Sequence, residues 1–162
     1  MLKKSSTRGS SVMPTVTEHG VSGPARYIAQ TTRDVIRRQQ DAVTFSRQPA
    51  FDALWEAWQP CRNANWDGEG ASPIELETYQ IAYRLIEALP HGFPMPSISP
   101  EPDGNLQFEW YRDTRRLLSV SICPDGTLYW AALVGLEDPR GSCQFYSEFP
   151  RTLLYWIGRV CT

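Results

Sequence analysis

Two Pro-Asp-Gly turns constrain this chain more than any other feature. Pro102-Asp103-Gly104-Asn105 and Pro124-Asp125-Gly126-Thr127 both carry hairpin chemistry, with glycine in the left-handed position. The runs around them alternate with a period of two, the pattern of half-buried strands. Leu106, Phe108 and Trp110 alternate with Gln107, Glu109 and Tyr111; Leu118, Val120 and Ile122 alternate with Ser119, Ser121 and Cys123; Leu128, Trp130, Ala132 and Val134 form the third run. Cys143 to Tyr146 predicts a fourth strand, and Gly135–Ser142 reads as the loop before it. Pro94, Pro96, Pro100 and Pro102 stiffen the lead-in and confine any strand at Ser97 to Ser99 to a sheet edge.

Helical periodicity occupies the flanks. From Pro24, the residues Ile28, Val35, Ile36 and Val43 fall near helical spacing, with Arg33, Arg37 and Arg38 on or beside the opposite face. Pro49 punctuates the chain. Phe51, Leu54, Trp55 and Trp58 then recur at the spacing of one helix face, which predicts a wholly apolar stripe facing the core or an interface and ended by Pro60. A further helix is expected from Ser72 to about Leu89, with Ser72 as N-cap, Pro73 in the first turn and Glu75 completing a capping box. Its predicted buried stripe is Ile74, Thr78, Ile81, Ala82, Leu85 and Leu89, and His91 lies where a cap at its C-terminus would sit. After Phe149-Pro150, the residues Leu153, Leu154, Ile157 and Val160 predict a closing helix, with Tyr155 and Trp156 on its flanks.

The expected fold is therefore α+β: N-terminal helices, a four- to five-strand antiparallel meander and a closing C-terminal helix, with one sheet face under the helices. Residues 1–23, rich in Ser, Thr and Gly, read as a disordered basic arm, residues 24–48 as an amphipathic basic helix, and residues 49–162 as a single α+β domain. The charge divides along the same line. Residues 1–50 hold eight Lys/Arg against three Asp/Glu, whereas residues 51–162 hold eight against fifteen. A basic arm on an acidic body points to nucleic acid, an acidic partner or the body itself as the arm's contact.

Cys61, Cys123, Cys143 and Cys161 lack Cys-x-x-Cys spacing, so neither a zinc site nor a redox pair is expected, and no metal or cofactor is assigned. No apolar stretch follows Lys3-Lys4 as a secretory signal would require, and no run reaches membrane-span length. Reduced thiols in a cytoplasmic protein follow as the economical expectation.

The candidate site is the stretch Asn65-Trp66-Asp67-Gly68-Glu69-Gly70-Ala71, where a large aromatic and two carboxylates sit on a glycine-hinged loop. Trp66 is expected to fill a gap in the core. The solvent face of the sheet, with Glu109, Tyr111 and Tyr129, offers a second candidate binding surface. Trp66–Ala71, Leu89-Pro90, Pro102-Asp103-Gly104 and Glu109-Trp110 together resemble a group of small uncharacterised prokaryotic proteins with a Trp-Asp-Gly-x-Gly-Ala loop, over about residues 50–160. The resemblance implies cargo of a mobile element or defence system and supplies no catalytic residues.

Three functions follow as expectations. The first is a non-enzymatic partner-binding accessory or antitoxin-like subunit, contacting a protein through Trp66, Asp67, Glu69, Glu109, Tyr111 and Tyr129. The second is a small hydrolase using the Asp67 and Glu69 carboxylates, with Glu109 as a further candidate around Trp66. The third is nucleic-acid binding through Arg33, Arg37, Arg38 and the arm. Sheet edges and aromatic surface are also compatible with a homodimer.

Overall fold

A computed structural model describes the backbone of residues 23–162 and the side chains of 28, 30–38 and 46–162. The expected arm at 1–23 lies almost wholly outside the described residues. The chain divides into two units, Met1–Gln39 and Gln40–Thr162. The order of elements is α1 (Gly23–Trp58), a 3₁₀ turn (Gln59–Cys61), α2 (Leu76–Ala88), β1 (Ser97–Pro100), β2 (Leu106–Asp113), β3 (Arg116–Ile122), β4 (Thr127–Val134), β5 (Arg140–Gln144) and α3 (Arg151–Cys161). The architecture is α+β, with an all-antiparallel sheet in the order β1-β2-β3-β4-β5.

In the first unit, α1 carries Arg33, Arg37 and Arg38, and every described side chain from Ile28 to Arg38 is exposed. The predicted break at Pro49 does not occur, and α1 runs through it. An internal proline costs a helix about 3 kcal/mol. Here the turns around it are pinned in the second unit by burial of Ala50, Leu54 and Trp58.

The sheet alternates as its sequence predicts. Leu106, Phe108 and Trp110, Leu118, Val120 and Ile122, and Leu128 and Ala132 are buried. They face α2 and α3, whose own buried residues are Thr78, Ile81, Ala82, Leu85 and Ile86, and Leu153, Trp156, Ile157 and Val160. Trp156 is thus a core residue rather than a flanking one, and Leu154 takes the half-buried place.

Two expected boundaries shift. The fourth predicted strand begins earlier, because β5 includes Arg140, Gly141 and Ser142. That segment has no apolar alternation of its own. A Cβ on Gly141 would stand 3.0 Å from the Trp130 ring, so the missing side chain lets the indole spread over the edge strand. The second shift concerns α2, which starts at Leu76 with Glu75 as N-cap and no side-chain capping bond. The predicted capping box does not form, because residues 71–74 are an extended strap whose backbone is already engaged. The Ser72 amide donates to Pro102 O at 2.8 Å, and the Ile74 amide donates to Cys61 O at 2.8 Å.

Candidate functional site

The loop before the strap is built from its own polar groups. Asn65 lies at φ 62, and Gly68 and Gly70 follow at φ 80 and 97. Three left-handed residues so close together coil the chain and turn its amides inward, where side-chain oxygens meet them. Asp67 Oδ1 accepts the Glu69 amide at 2.8 Å and the Ala71 amide at 3.0 Å, while Asn65 Oδ1 accepts the Gly70 amide at 2.8 Å. The Asn65 amide closes the loop by donating to Ala71 O at 2.7 Å. Those backbone bonds, from Ala71 first and Glu69 second, hold the Asp67 carboxyl below its ordinary value. Trp66 is half-buried against the core and donates from Nε1 to Ser72 O at 2.9 Å. Glu69 is exposed.

The remaining predicted site residues are distributed elsewhere. Glu109 and Tyr111 stand on the outer face of β2, and Tyr129 stands on the outer face of β4, 56% exposed. The register aligns Ser99, Gln107, Ser121, Tyr129 and Ser142 in one row across the five strands, and Ser97, Glu109, Ser119, Ala131 and Arg140 in the next. Ser121 Oγ donates to the Glu101 carboxylate. A groove of about 490 Å³ on this face is lined by Ser119, Ser121, Tyr129, Arg140 and Ser142 among others. Among the described residues, no hydrogen bond or ion pair joins Asp67 or Glu69 to Glu109, and no group of three His, Cys, Asp or Glu side chains is arranged to hold a metal ion. All four cysteines are free thiols, and burial pushes each of them up.

A third surface combines the stripe expected to face the core or an interface with Tyr79 and Tyr83 of α2, which were not singled out from sequence. The predicted stripe Phe51, Leu54, Trp55, Trp58 divides: Leu54 and Trp58 are in the core, while Trp55 is 45% exposed. Trp55 joins residues of α2 in an aromatic ladder. Phe51 stacks on Tyr83 with ring centroids 4.4 Å apart, Trp58 lies 4.7 Å from Tyr79, and Trp55 meets Tyr79 edge-on at 6.1 Å. Leu76 and Tyr83 are exposed beside them. Burial raises the Tyr79 phenol, with Tyr83 adding to it. The signal available in the sequence was the four-residue step from Tyr79 to Tyr83, which places both rings on one side of α2.

Arg47, also not singled out, reaches from α1 to the end of α2. Its guanidinium donates to Glu87 O at 2.7 Å and to Leu89 O at 2.6 Å, satisfying carbonyls that a helix C-terminus leaves open. Arg112 does the same for α3 through Cys161 O at 2.7 Å.

No protein-family model matches the chain, and neither a curated protein sequence nor a solved structure shows significant similarity to it. Among the described residues, no helix is long and apolar enough to cross a membrane.

Proposed function

We propose that the chain is a non-enzymatic, partner-binding accessory or antitoxin-like subunit of a prokaryotic mobile-element or defence system. The observation that carries the binding role is the aromatic ladder on α1 and α2. Trp55 and Tyr83 are exposed, yet their rings are already fixed by Phe51 and Tyr79 on two packed helices. Aromatic side chains held rigid before binding lose little entropy on contact, and they dominate interface energetics. Asp67 speaks against the hydrolase alternative, since one of its carboxylate oxygens is taken by two backbone amides and its acidity is shifted away from what a general acid needs. Trp66 and Glu69 remain available at the loop surface as secondary contacts.

The test is affinity purification of the tagged protein from the cells that make it, with and without nuclease, alongside Trp55→Ala/Tyr83→Ala and Asp67→Ala/Glu69→Ala variants shown by circular dichroism to be folded at the assay temperature. A stoichiometric protein partner, retained after nuclease and lost with the aromatic variant, is the expected result. A partner lost only with the loop variant would move the interface to the loop.

Nucleic-acid binding through α1 is the second reading, favoured by the exposure of Arg33, Arg37 and Arg38. It requires affinity that falls steeply with salt and is abolished by reversing these three charges.

A further inference from the structure

The two edges of the sheet are built differently. β1 ends in Pro100 and is preceded by Pro96, so its outer side is poorly suited to pairing with another strand. β5 has no proline from Arg140 to Gln144, and Arg140, Gly141, Ser142 and Gln144 are exposed. The ladder to β4 fixes which backbone groups point outward. Ala132 donates to Pro139 O, and Phe145 donates to Gly126 O, both at 2.9 Å. Residues 139 and 145 therefore turn their polar groups towards β4, and alternation gives 141 and 143 the same sense. The amides and carbonyls of Arg140, Ser142 and Gln144 face away from the sheet.

We infer that β5 pairs antiparallel with β5 of a second copy of this chain, about a two-fold axis at Ser142, joining the two sheets into one. The sequence of the strand is compatible with itself in that register. Ser142 meets Ser142 of the second copy on the axis, Arg140 lies opposite Gln144, and Gly141 lies opposite Cys143. No pair places like charges against each other, and the two long side chains that meet, Arg140 and Gln144, can hydrogen-bond. Each outward amide of 140, 142 and 144 then faces a carbonyl across the axis.

Charge and apolar surface support the same occupant. Gln144 Nε2 donates to Asp125 O at 2.7 Å, which ties the far end of β5 to an acidic turn. In the two-fold pair, Arg140 of each copy lies beside the other copy's Gln144 and is directed towards that turn. Its present partner, Asp138, forms an ion pair whose two side chains are 76% and 77% exposed, so exchanging it costs little. A five-residue strand pair is small beside the roughly 1,200 Å² of a stable interface. The additional area comes from Tyr129 and Tyr146, which flank the edge and are 56% and 77% exposed.

The experiment is sedimentation equilibrium on the full chain across a concentration series, with Ser142→Glu, Ser142→Pro and a control substitution, Ser99→Glu, at the opposite edge. The expected result is a wild-type species of twice the 18.4 kDa chain mass that dissociates on dilution. Ser142→Glu sets like charges face to face and is expected to raise the dissociation constant about tenfold or more, equivalent to about 1.4 kcal/mol. Ser142→Pro removes an outward amide and is expected to act in the same direction, while Ser99→Glu remains dimeric. If the proline variant does not fold, Ser142→Glu decides alone. A wild-type chain that stays monomeric throughout overturns the inference, and so does a dimer that persists in folded Ser142→Glu.

Discussion

The indole of Trp58 donates its Nε1–H to the carbonyl of Ile74 at 3.0 Å, from the end of α1 to the strap that precedes α2. Trp66 makes the equivalent bond two residues earlier, to Ser72 O. The strap is thus held by two indoles, one buried and one half-buried. This difference sets a prediction. Trp58→Phe leaves the Ile74 carbonyl without its side-chain donor in a site closed to water and is expected to cost about 2–3 kcal/mol, including the smaller ring. Trp66→Phe leaves an exposed carbonyl that water can satisfy and is expected to cost about 1 kcal/mol or less. Urea denaturation of the two variants checks the order.

Asp67 predicts a particular acid response. Its carboxyl is held below the ordinary value of 3.8 by the amides of Ala71 and Glu69. A carboxyl with a lowered folded-state value contributes stability that is full above the unfolded value and is lost as pH falls through the folded one. Asp125 and Glu137 are shifted the same way, through Thr127 and Arg159 respectively. Stability is therefore expected to fall as pH drops from about 4 downwards. Asp67→Asn lowers the plateau at neutral pH and flattens this acid limb. Urea midpoints measured from neutral pH down to about pH 2 would show it, and an unchanged slope would remove Asp67 from the account.

Gly70 and Gly104 separate backbone strain from crowding. Their φ angles are nearly the same, 97 and 93. A Cβ at Gly70 meets nothing within 4 Å, whereas one at Gly104 would stand 3.0 Å from the Pro73 carbonyl oxygen, part of the strap. Gly70→Ala is expected to cost about 1–2 kcal/mol from conformation alone. Gly104→Ala adds the displacement of the strap and is expected to cost at least 1 kcal/mol more. Equal losses would show that the turn and the strap separate freely.

The contrast between these glycines also shows what the sequence could and could not reveal. The meander was legible because Pro-Asp-Gly turns and period-two runs are local signals, and the rows carrying Glu109, Tyr111 and Tyr129 follow from them. The strap was not legible. Ser72, Pro73 and Glu75 have the local chemistry of a helix start, but the Ser72 and Ile74 amides are taken by Pro102 and Cys61, partners distant in sequence. The role of Asp67 was hidden for a related reason. Its type suggested chemistry at a surface, and only the coiling of Asn65, Gly68 and Gly70 shows that the carboxylate serves the loop. Arg140–Ser142 escaped because the residue that makes the strand pack is Trp130, on the neighbouring strand.

Thr78 is fully buried, and its hydroxyl has no hydrogen-bond partner among the described residues. A buried hydroxyl without a partner is a desolvation cost with no return. Thr78→Val keeps the shape of the side chain and removes the polar atom. The expected change is a gain of up to about 1 kcal/mol, read as a higher urea midpoint at unchanged slope. A loss above that size would reveal a buried water or another partner for the hydroxyl.

Arg47 is the strongest case for a side chain whose geometry matters more than its charge. Its two terminal nitrogens reach Glu87 O and Leu89 O together, one on each carbonyl at the end of α2, and thereby fasten the last turns of α1 to that end. A lysine has the charge but is a single point donor on a flexible stem, and it cannot span both oxygens with the same fixed fork. Arg47→Lys is therefore expected to lose about 1–2 kcal/mol, and Arg47→Met about 2–3 kcal/mol, because both carbonyls then lose their donor. Amide hydrogen exchange localises the effect. Faster exchange is expected in the last turn of α2, while the β2–β3 ladder changes only with global stability. Uniform acceleration across the sheet would mean that Arg47 supports the core as a whole rather than the α1–α2 junction.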